Sequence, residues 1–151
     1  VGSVFAALGP EPLDDDFTVK NLYEMLQSHS RQIKPLLMDQ RFIAGLGNIY
    51  TDESLFKARI HPLRRSDSLS MKEAQLLHTA IRQTLTEGIQ KFCASLDWVY
   101  RGGEFQNYFQ VYQREGEPCP VCGNKIIKTT VGQRGTHFCP RCQRPPLANL
   151  D

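Results

Sequence analysis

Long apolar runs are absent from the 151-residue sequence, and stretches such as Val4-Phe5-Ala6-Ala7-Leu8 extend over only a few residues. A membrane-spanning helix needs about 20 consecutive apolar residues, so the sequence predicts none. The first residues also lack the basic lead of a secretory signal and an initiator methionine, and we expect the chain to be part of a longer protein. Apolar residues make up 40% and charged residues 23% of the sequence, which favours a packed core over disorder.

Acidic residues are missing between Cys119 and Arg144, a region that contains five basic residues. Residues 1–30 show the opposite balance, with five acids and one lysine, and therefore a net charge of −4. The remaining 121 residues hold 17 bases and 11 acids, a net charge of +6. A locally basic surface of this kind suits a polyanion, although ordinary solvated charges would give the same composition.

Four of the five cysteines form two close pairs, Cys119-Pro-Val-Cys122 and Cys139-Pro-Arg-Cys142, with 16 residues between the pairs. Each pair presents two thiolates from one turn, and four thiolates complete the tetrahedral coordination of Zn²⁺. The spacing therefore predicts one structural zinc ion without an open position for catalysis. The alternatives are a redox dithiol and a disulfide framework, and the missing secretory signal argues against the disulfides.

Apolar periodicity predicts four helices ahead of the cysteine pairs. The third is expected over residues 48–58 and the fourth is the longest. Each helix has a candidate cap for its first turn, and these caps are Thr18, Ser30, Asn48, and either Ser68 or Ser70. A loop is predicted over residues 94–106, with two adjacent glycines at its centre.

Two short segments have chemistry that suits a phosphate. Residues 125–131 and 136–138 predict a β-hairpin whose turn carries Arg134 at its tip. An arginine fork on a rigid turn can bind a phosphate or a base edge, or it can simply be solvated. Gly45-Leu46-Gly47-Asn48 precedes a predicted helix, whose first N–H groups suit an anion. A tight turn between helices, capped by Asn48, would use the same residues.

Several segments, in this order along the chain, resemble the bacterial formamidopyrimidine-DNA glycosylase and endonuclease VIII family. They are Gly9–Leu13, Ile33–Gln40, Gly45–Tyr50, Glu53–Phe56, Ile60–Pro62, Gln110–Tyr112, Arg114–Cys119 and Gln133–Cys139. The resemblance covers nearly the whole chain. It implies a mainly α fold, in which a helix–two-turn–helix domain is followed by a small four-Cys zinc-finger β-hairpin. We expect an interdomain linker or tail over residues 1–17, the helical domain over 18–112 and the zinc finger over 113–151.

The resemblance also implies roles for single residues. Asn48 and Gly47 match the family's phosphate-binding turn beside a flipped nucleotide, and Arg134 matches the zinc-finger arginine that grips the same stretch of backbone. Lys34 matches a basic residue that faces the DNA backbone, and Tyr112 matches a phosphate contact. The implied partner is double-stranded DNA with damaged bases or abasic sites. The implied function is the DNA-binding region of a base-excision-repair glycosylase and AP lyase acting on oxidised bases.

The family's catalytic group is an amino-terminal proline on a separate β-rich domain, and this chain begins Val1-Gly2-Ser3. We therefore expect no catalytic residue here, no activity of the chain alone, and an N-terminal catalytic domain of the same parent protein as a partner. We further expect a monomer at the bacterial nucleoid, in the cytoplasm and away from membranes. A free-standing zinc-ribbon adapter for nucleic acid or protein is the alternative function.

Overall fold

The computed structural model describes residues 9–101 and 109–144, and over residues 89–101 it describes the backbone alone. Four helices precede a two-stranded antiparallel hairpin, as predicted from the sequence. The elements are α1 (Val19–Gln27), α2 (Ile33–Met38), α3 (Asn48–Ala58), a 3-10 turn (Ser66–Ser68), α4 (Met71–Arg101), β1 (Ile127–Val131) and β2 (Arg134–Phe138). Among the described residues, no helix is both long enough and apolar enough to cross a bilayer.

One apolar core joins the four helices. Its fully buried members include Leu22, Leu26, Ile33, Leu36, Leu37, Ile43, Leu46, Leu77 and Ile81. Burying each such side chain contributes about 1.5–3 kcal/mol, and none of the members of this core comes from the cysteine region. Phe17, which lies ahead of α1, joins the same core and stacks on His78 of α4 at 5.1 Å between ring centroids. Gly9 N–H donates to the Gln40 carbonyl at 2.8 Å, so the segment before α1 packs against the helices.

The predicted caps of α1 and α4 are confirmed. The Thr18 side chain accepts from Asn21 N–H at 3.1 Å. At the start of α4, Ser70 Oγ accepts from Glu73 N–H at 3.1 Å, and Glu73 Oε1 accepts from Ser70 N–H at 3.0 Å, which forms a reciprocal capping box. Burial disfavours the charge on Glu73, but bonds from Arg64 and Ser70 outweigh it and hold the pKa of Glu73 below its ordinary value.

The predicted cap of α2 is wrong. Ser30 Oγ donates instead to Asp67 at 2.9 Å, and the cap position belongs to Gln32, whose side chain makes no capping bond. The first N–H groups of α2, from Ile33 and Lys34, already donate to the carbonyls of Arg64 and Pro62, and the third helical residue is a proline without an N–H. A serine cap would therefore have no free N–H to bind.

The bounds of α3 are as predicted, but its cap and the end of α4 differ from the sequence prediction. The cap position of α3 is Gly47, and Asn48 is its first helical residue. The predicted loop over 94–106 is wrong in its first part, because α4 continues to Arg101. No glycine or proline occurs in residues 94–101 to end the helix, and the glycine pair follows directly after it. The side chains of residues 89–101, including that of Cys93, lie outside the described part of the structure.

Replacement of the α4 cap, Ser70→Ala, is expected to lower the free energy of unfolding by about 1 kcal/mol, because the N–H of Glu73 loses its acceptor. Ser30→Ala is the matched control. Its bond to Asp67 is exposed, and we expect a change within about 0.5 kcal/mol. Urea unfolding followed by far-ultraviolet circular dichroism measures both variants, and equal losses would contradict the assignment of Ser70 as the cap.

Candidate metal centre and nucleic-acid interface

The four paired cysteines converge on one point. Their Sγ atoms all lie within 4.8 Å of one another, with Cys119 and Cys142 at 3.9 Å and Cys122 and Cys139 at 3.4 Å. Disulfide sulfurs would be about 2 Å apart, whereas sulfurs bound to one zinc ion at about 2.3 Å lie about 3.8 Å apart. The cluster is therefore a structural zinc site, and the disulfide alternative is wrong.

Backbone groups at each turn support the thiolates. Val121 N–H donates to Cys119 Sγ and Cys142 N–H to Cys139 Sγ, both at 3.4 Å. Without metal, the Asn124 backbone lowers the pKa of Cys122 to about 7, while burial raises the pKa of Cys142 to about 12. Because zinc binds thiolates, metal uptake releases protons, and zinc affinity falls as the pH falls.

The zinc module, which comprises the four paired cysteines together with β1 and β2, packs on α3. Its small core consists of Phe56 from α3 together with Val111, Ile126 and two of the zinc ligands. Leu55, next to Phe56, belongs to the helical core instead. Successive residues of α3 thus enter two different cores, and the helix has little face left for solvent.

Asp52 of α3 is a fully buried carboxylate that binds the hairpin. Its Oδ1 accepts from Lys34 Nζ at 2.5 Å. Its Oδ2 accepts from the His137 backbone N–H at 3.0 Å and lies 3.0 Å from Nδ1 of the same histidine. One side chain therefore connects α2, α3 and β2.

Glu53, the next residue, binds the segment that leads into the zinc module. Its carboxylate accepts three backbone N–H groups, from Gln110 at 2.8 Å, Val111 at 2.8 Å and Tyr112 at 3.0 Å. The Tyr112 ring in turn meets the His137 ring edge-on at 4.9 Å. The Tyr112 ring is thereby packed beside β2.

A further polar link lies at the other end of α3. Gln143, which is fully buried, donates to the Ile60 carbonyl and accepts from Cys139 N–H, both at 2.9 Å. His61 packs its ring on Phe138 at 4.7 Å. Asp52, Glu53 and Gln143 are not predicted as site residues by the sequence pattern.

Arg134 lies on the exposed edge of the hairpin. It is the first residue of β2 and pairs with Val131, so the tip consists of Gly132 and Gln133, which both have positive φ. The expectation that Arg134 forms the tip is therefore wrong, and the arginine sits on a strand. Within the part of the chain that the structure describes, its guanidinium has no hydrogen bond or ion pair, and it is exposed.

Lys34 differs from its predicted place facing DNA. The side chain is fully buried, and its ammonium donates to Asp52 and, at 3.2 Å, to the Gly135 carbonyl. Burial lowers the pKa of Lys34, while the Asp52 carboxylate acts in the opposite sense. A direct bond from this ammonium to a phosphate does not fit this position, because both its contacts and its burial turn it toward the protein.

Gly47 and Asn48 form an open helix start. Gly47 is exposed, supplies no capping side chain, and has no atom within 4 Å of the place where a Cβ would stand. The side-chain oxygen of Asn48 is buried and finds no hydrogen-bond partner among the described residues. Because no side chain caps this start, the first N–H groups of α3 are the kind of donors that bind an anion at a helix N-terminus.

A direct contact joins the two elements that begin with Asn48 and Arg134, which are α3 and β2. Cys139, directly after β2, packs with Phe56, and His137 binds Asp52 one turn earlier in α3. The strand and the helix therefore run in the same direction, and one further turn back leads to Asn48 on the helix and to the start of β2.

Two family models match the chain. One, described as the formamidopyrimidine-DNA glycosylase H2TH domain, matches residues 8–97, and the other, described as a zinc finger found in FPG and IleRS, matches residues 116–145. The formamidopyrimidine-DNA glycosylase of Roseiflexus sp. (strain RS-1) is 52% identical over 143 residues, which are 92% of this chain and 52% of that protein. This chain spans about half the length of the curated relatives it matches.

Solved structures show the same likeness. A structure of MutM in complex with carbocyclic 8-oxo-G containing DNA is 42% identical, with a TM-score of 0.83, over 94% of this chain and 53% of that one. A complex between Lactococcus lactis Fpg and an abasic site containing DNA is 38% identical, also with a TM-score of 0.83, over 95% of this chain and 54% of that one.

Proposed function

The chain belongs to the formamidopyrimidine-DNA glycosylase family, and from this premise we propose that it is the DNA-binding region of a base-excision-repair glycosylase and AP lyase acting on oxidised bases. The observation that carries the proposal is the buried Asp52 junction, which joins the helix that begins at Asn48 to the strand that begins with the exposed Arg134. The two related structures that contain lesion or abasic-site DNA support it.

In this proposal the described residues act on the phosphates around the damaged nucleotide. Arg134 donates a charge-assisted bond, Asn48 and the N–H groups after Gly47 donate neutral ones, and Tyr112 donates from its hydroxyl. Extruding a nucleotide from the duplex costs a few kcal/mol. Bonds that hold the phosphates in the bent backbone offset part of this cost, so the site favours a flipped nucleotide without contacting its base.

The same proposal assigns the chemistry to another part of the parent protein. Four thiolates complete the coordination shell of the zinc ion, which leaves no position for a catalytic water. The reaction then falls to an N-terminal catalytic domain, which works with this region as a monomer on nucleoid DNA in the bacterial cytoplasm. In this arrangement the helices and the zinc hairpin bind the phosphates of the damaged strand.

The proposal predicts that Arg134→Ala weakens binding to every duplex sequence alike, because a phosphate contact reads no base. Arg134 is the one charged group of the set that is exposed, so its loss should flatten the salt dependence by about one unit of slope. Asn48→Ala should weaken binding with little change of slope, since the amide is neutral. Fluorescence anisotropy of a duplex with a central abasic-site analogue, titrated at several salt concentrations, measures both effects.

Lys20→Ala is the matched control, because Lys20 is an exposed lysine on α1 in the acidic part of the chain. It should change neither affinity nor slope appreciably. The unsubstituted chain is expected to bind the abasic-analogue duplex with a Kd on the order of 10⁻⁴ to 10⁻⁶ M. Unchanged affinity in both Arg134→Ala and Asn48→Ala would contradict the proposed interface and favour an adapter that binds by another face.

A further inference from the structure

We infer that Lys34 and Asp52 are positioning residues for Arg134: their buried ion pair fixes the backbone of β2 so that the arginine is held in place for a phosphate. The inference rests on the proposed function, because that phosphate contact is what the pair would position. It also gives Lys34 a role that its burial allows, in place of the direct DNA contact predicted from the sequence.

The pair binds β2 at two backbone atoms. Lys34 Nζ donates to the Gly135 carbonyl at 3.2 Å, and Asp52 Oδ2 accepts from the His137 N–H at 3.0 Å. The two anchors come from different helices and bracket a single residue of the strand. Arg134 directly precedes the first anchored residue, so its backbone is fixed on that side.

The turn of the hairpin is held on the same helix. A Cβ placed on Gly132 would stand 3.0 Å from Cγ of Pro35, the residue after Lys34. The hairpin backbone therefore meets α2 on both sides of Arg134, at Gly132 before it and at Gly135 after it. The backbone of the arginine is held while its guanidinium stays exposed.

Stability alone does not explain a buried ion pair at this position. The desolvation of two charges consumes most of their attraction, and an apolar pair of similar volume commonly serves a core as well. An apolar pair could not donate to the Gly135 carbonyl or accept from the His137 N–H. The ammonium of Lys34 and the carboxylate of Asp52 thus supply the two hydrogen bonds that set the position of β2.

The test is a double-mutant cycle on the whole chain, with the same abasic-analogue duplex as the probe. Lys34→Met/Asp52→Asn removes both charges together and leaves no buried charge unpaired, while the Asn oxygen still accepts from His137 N–H. We expect this double variant to bind one equivalent of zinc and to keep the helix content of the unsubstituted chain. Its affinity for the duplex should be about tenfold lower, close to that of Arg134→Ala. Adding Arg134→Ala to this variant should produce no further loss.

Leu77→Ala is the control for general loosening, since Leu77 lies in the helical core on α4. In that background Arg134→Ala should retain its full effect, because a purely structural defect leaves the two changes additive. If the double variant does not take up zinc, Lys34→Met replaces it, since Asp52 then keeps its bonds to His137, and the same non-additivity is expected.

The outcomes separate the two proposals. If Arg134→Ala and Asn48→Ala both leave the affinity of the unsubstituted chain unchanged, the proposed function fails, and if Arg134→Ala alone does so, the positioning role is overturned. If Arg134→Ala weakens the parent and weakens the charge-free variant by the same factor, the proposed function stands and the positioning role is overturned.

Discussion

Removal of zinc by a strong chelator is expected to unfold the module around β1 and β2 and to leave α1, α2 and α4 folded. The module's core has few buried members, and two of them are the zinc ligands Cys119 and Cys139. Apparent binding energies of structural zinc are about 10–16 kcal/mol at pH 7 and act as folding energy. The helical core contains none of the four ligands, so it should survive.

Hydrogen–deuterium exchange measures this prediction segment by segment, and circular dichroism at 222 nm reports the helices. After chelation, amides over residues 119–142 should exchange freely, while those of α1 and α4 stay protected. Cys139→Ser should reproduce the result without a chelator. Cys93→Ser is the matched control, because Cys93 belongs to neither pair, and it should still take up one equivalent of zinc. Hairpin amides that remained protected without metal would contradict the prediction.

Loss of zinc should also abolish the DNA interface, although Asn48 and Gly47 lie outside the module. Arg134 stands on β2, and Tyr112 is fixed by its ring contact with His137. Both supports disappear when the hairpin unfolds. The metal therefore takes part in DNA binding only through the fold, which agrees with its closed coordination.

The elements that the sequence predicted well are those set by local chemistry. The cysteine spacing alone led to the zinc site, since the two turns and the four thiolates are local features. The caps at Thr18 and Ser70 follow from short side-chain bonds to the next turn. Ser30 failed as a cap because a distant segment, residues 62–64, already binds the start of α2, which no local pattern indicates.

The polar network beneath the site could not be predicted in the same way. Thr51, Asp52, Glu53 and Ser54 are four successive polar residues of a helix, a pattern typical of a solvated face, and all four are buried. Asp52 binds the hairpin and Glu53 binds the segment before it, on a side of α3 that the helical core leaves free. Such contacts between segments far apart in sequence depend on how the two cores meet.

The roles of Gly88 and Lys34 likewise could not be predicted from the local sequence. Gly88 weakens the long helix by propensity, yet a Cβ at this position would stand 2.6 Å from the Tyr50 hydroxyl oxygen, so the glycine leaves room for the Tyr50 ring against α4. Lys34 was matched to a residue that faces DNA, and its partner Asp52 lies in a different helix. In both cases the tertiary partner determines the role of the residue.

Glu53→Ala is expected to lower the free energy of unfolding of the zinc-loaded chain by about 3–5 kcal/mol. The carboxylate accepts three backbone N–H groups, from Gln110, Val111 and Tyr112. A hydrogen bond to a charged group contributes about 1.5–3 kcal/mol, and a buried N–H left without an acceptor adds a penalty. Glu53→Gln should cost less, about 1–2 kcal/mol, because the amide oxygen can still accept.

Urea unfolding of the zinc-loaded proteins, followed by circular dichroism, measures these losses. Glu24→Ala removes an exposed glutamate from α1 and serves as the control, with an expected change within about 0.5 kcal/mol. Exchange of the Val111 and Tyr112 amides gives an independent readout, since these N–H groups should lose protection in Glu53→Ala before the helices do. A Glu53→Ala protein as stable as Glu24→Ala would mean that the lead into the zinc module is held by its apolar contacts, with Phe56 and Ile126 around Val111, and not by this carboxylate.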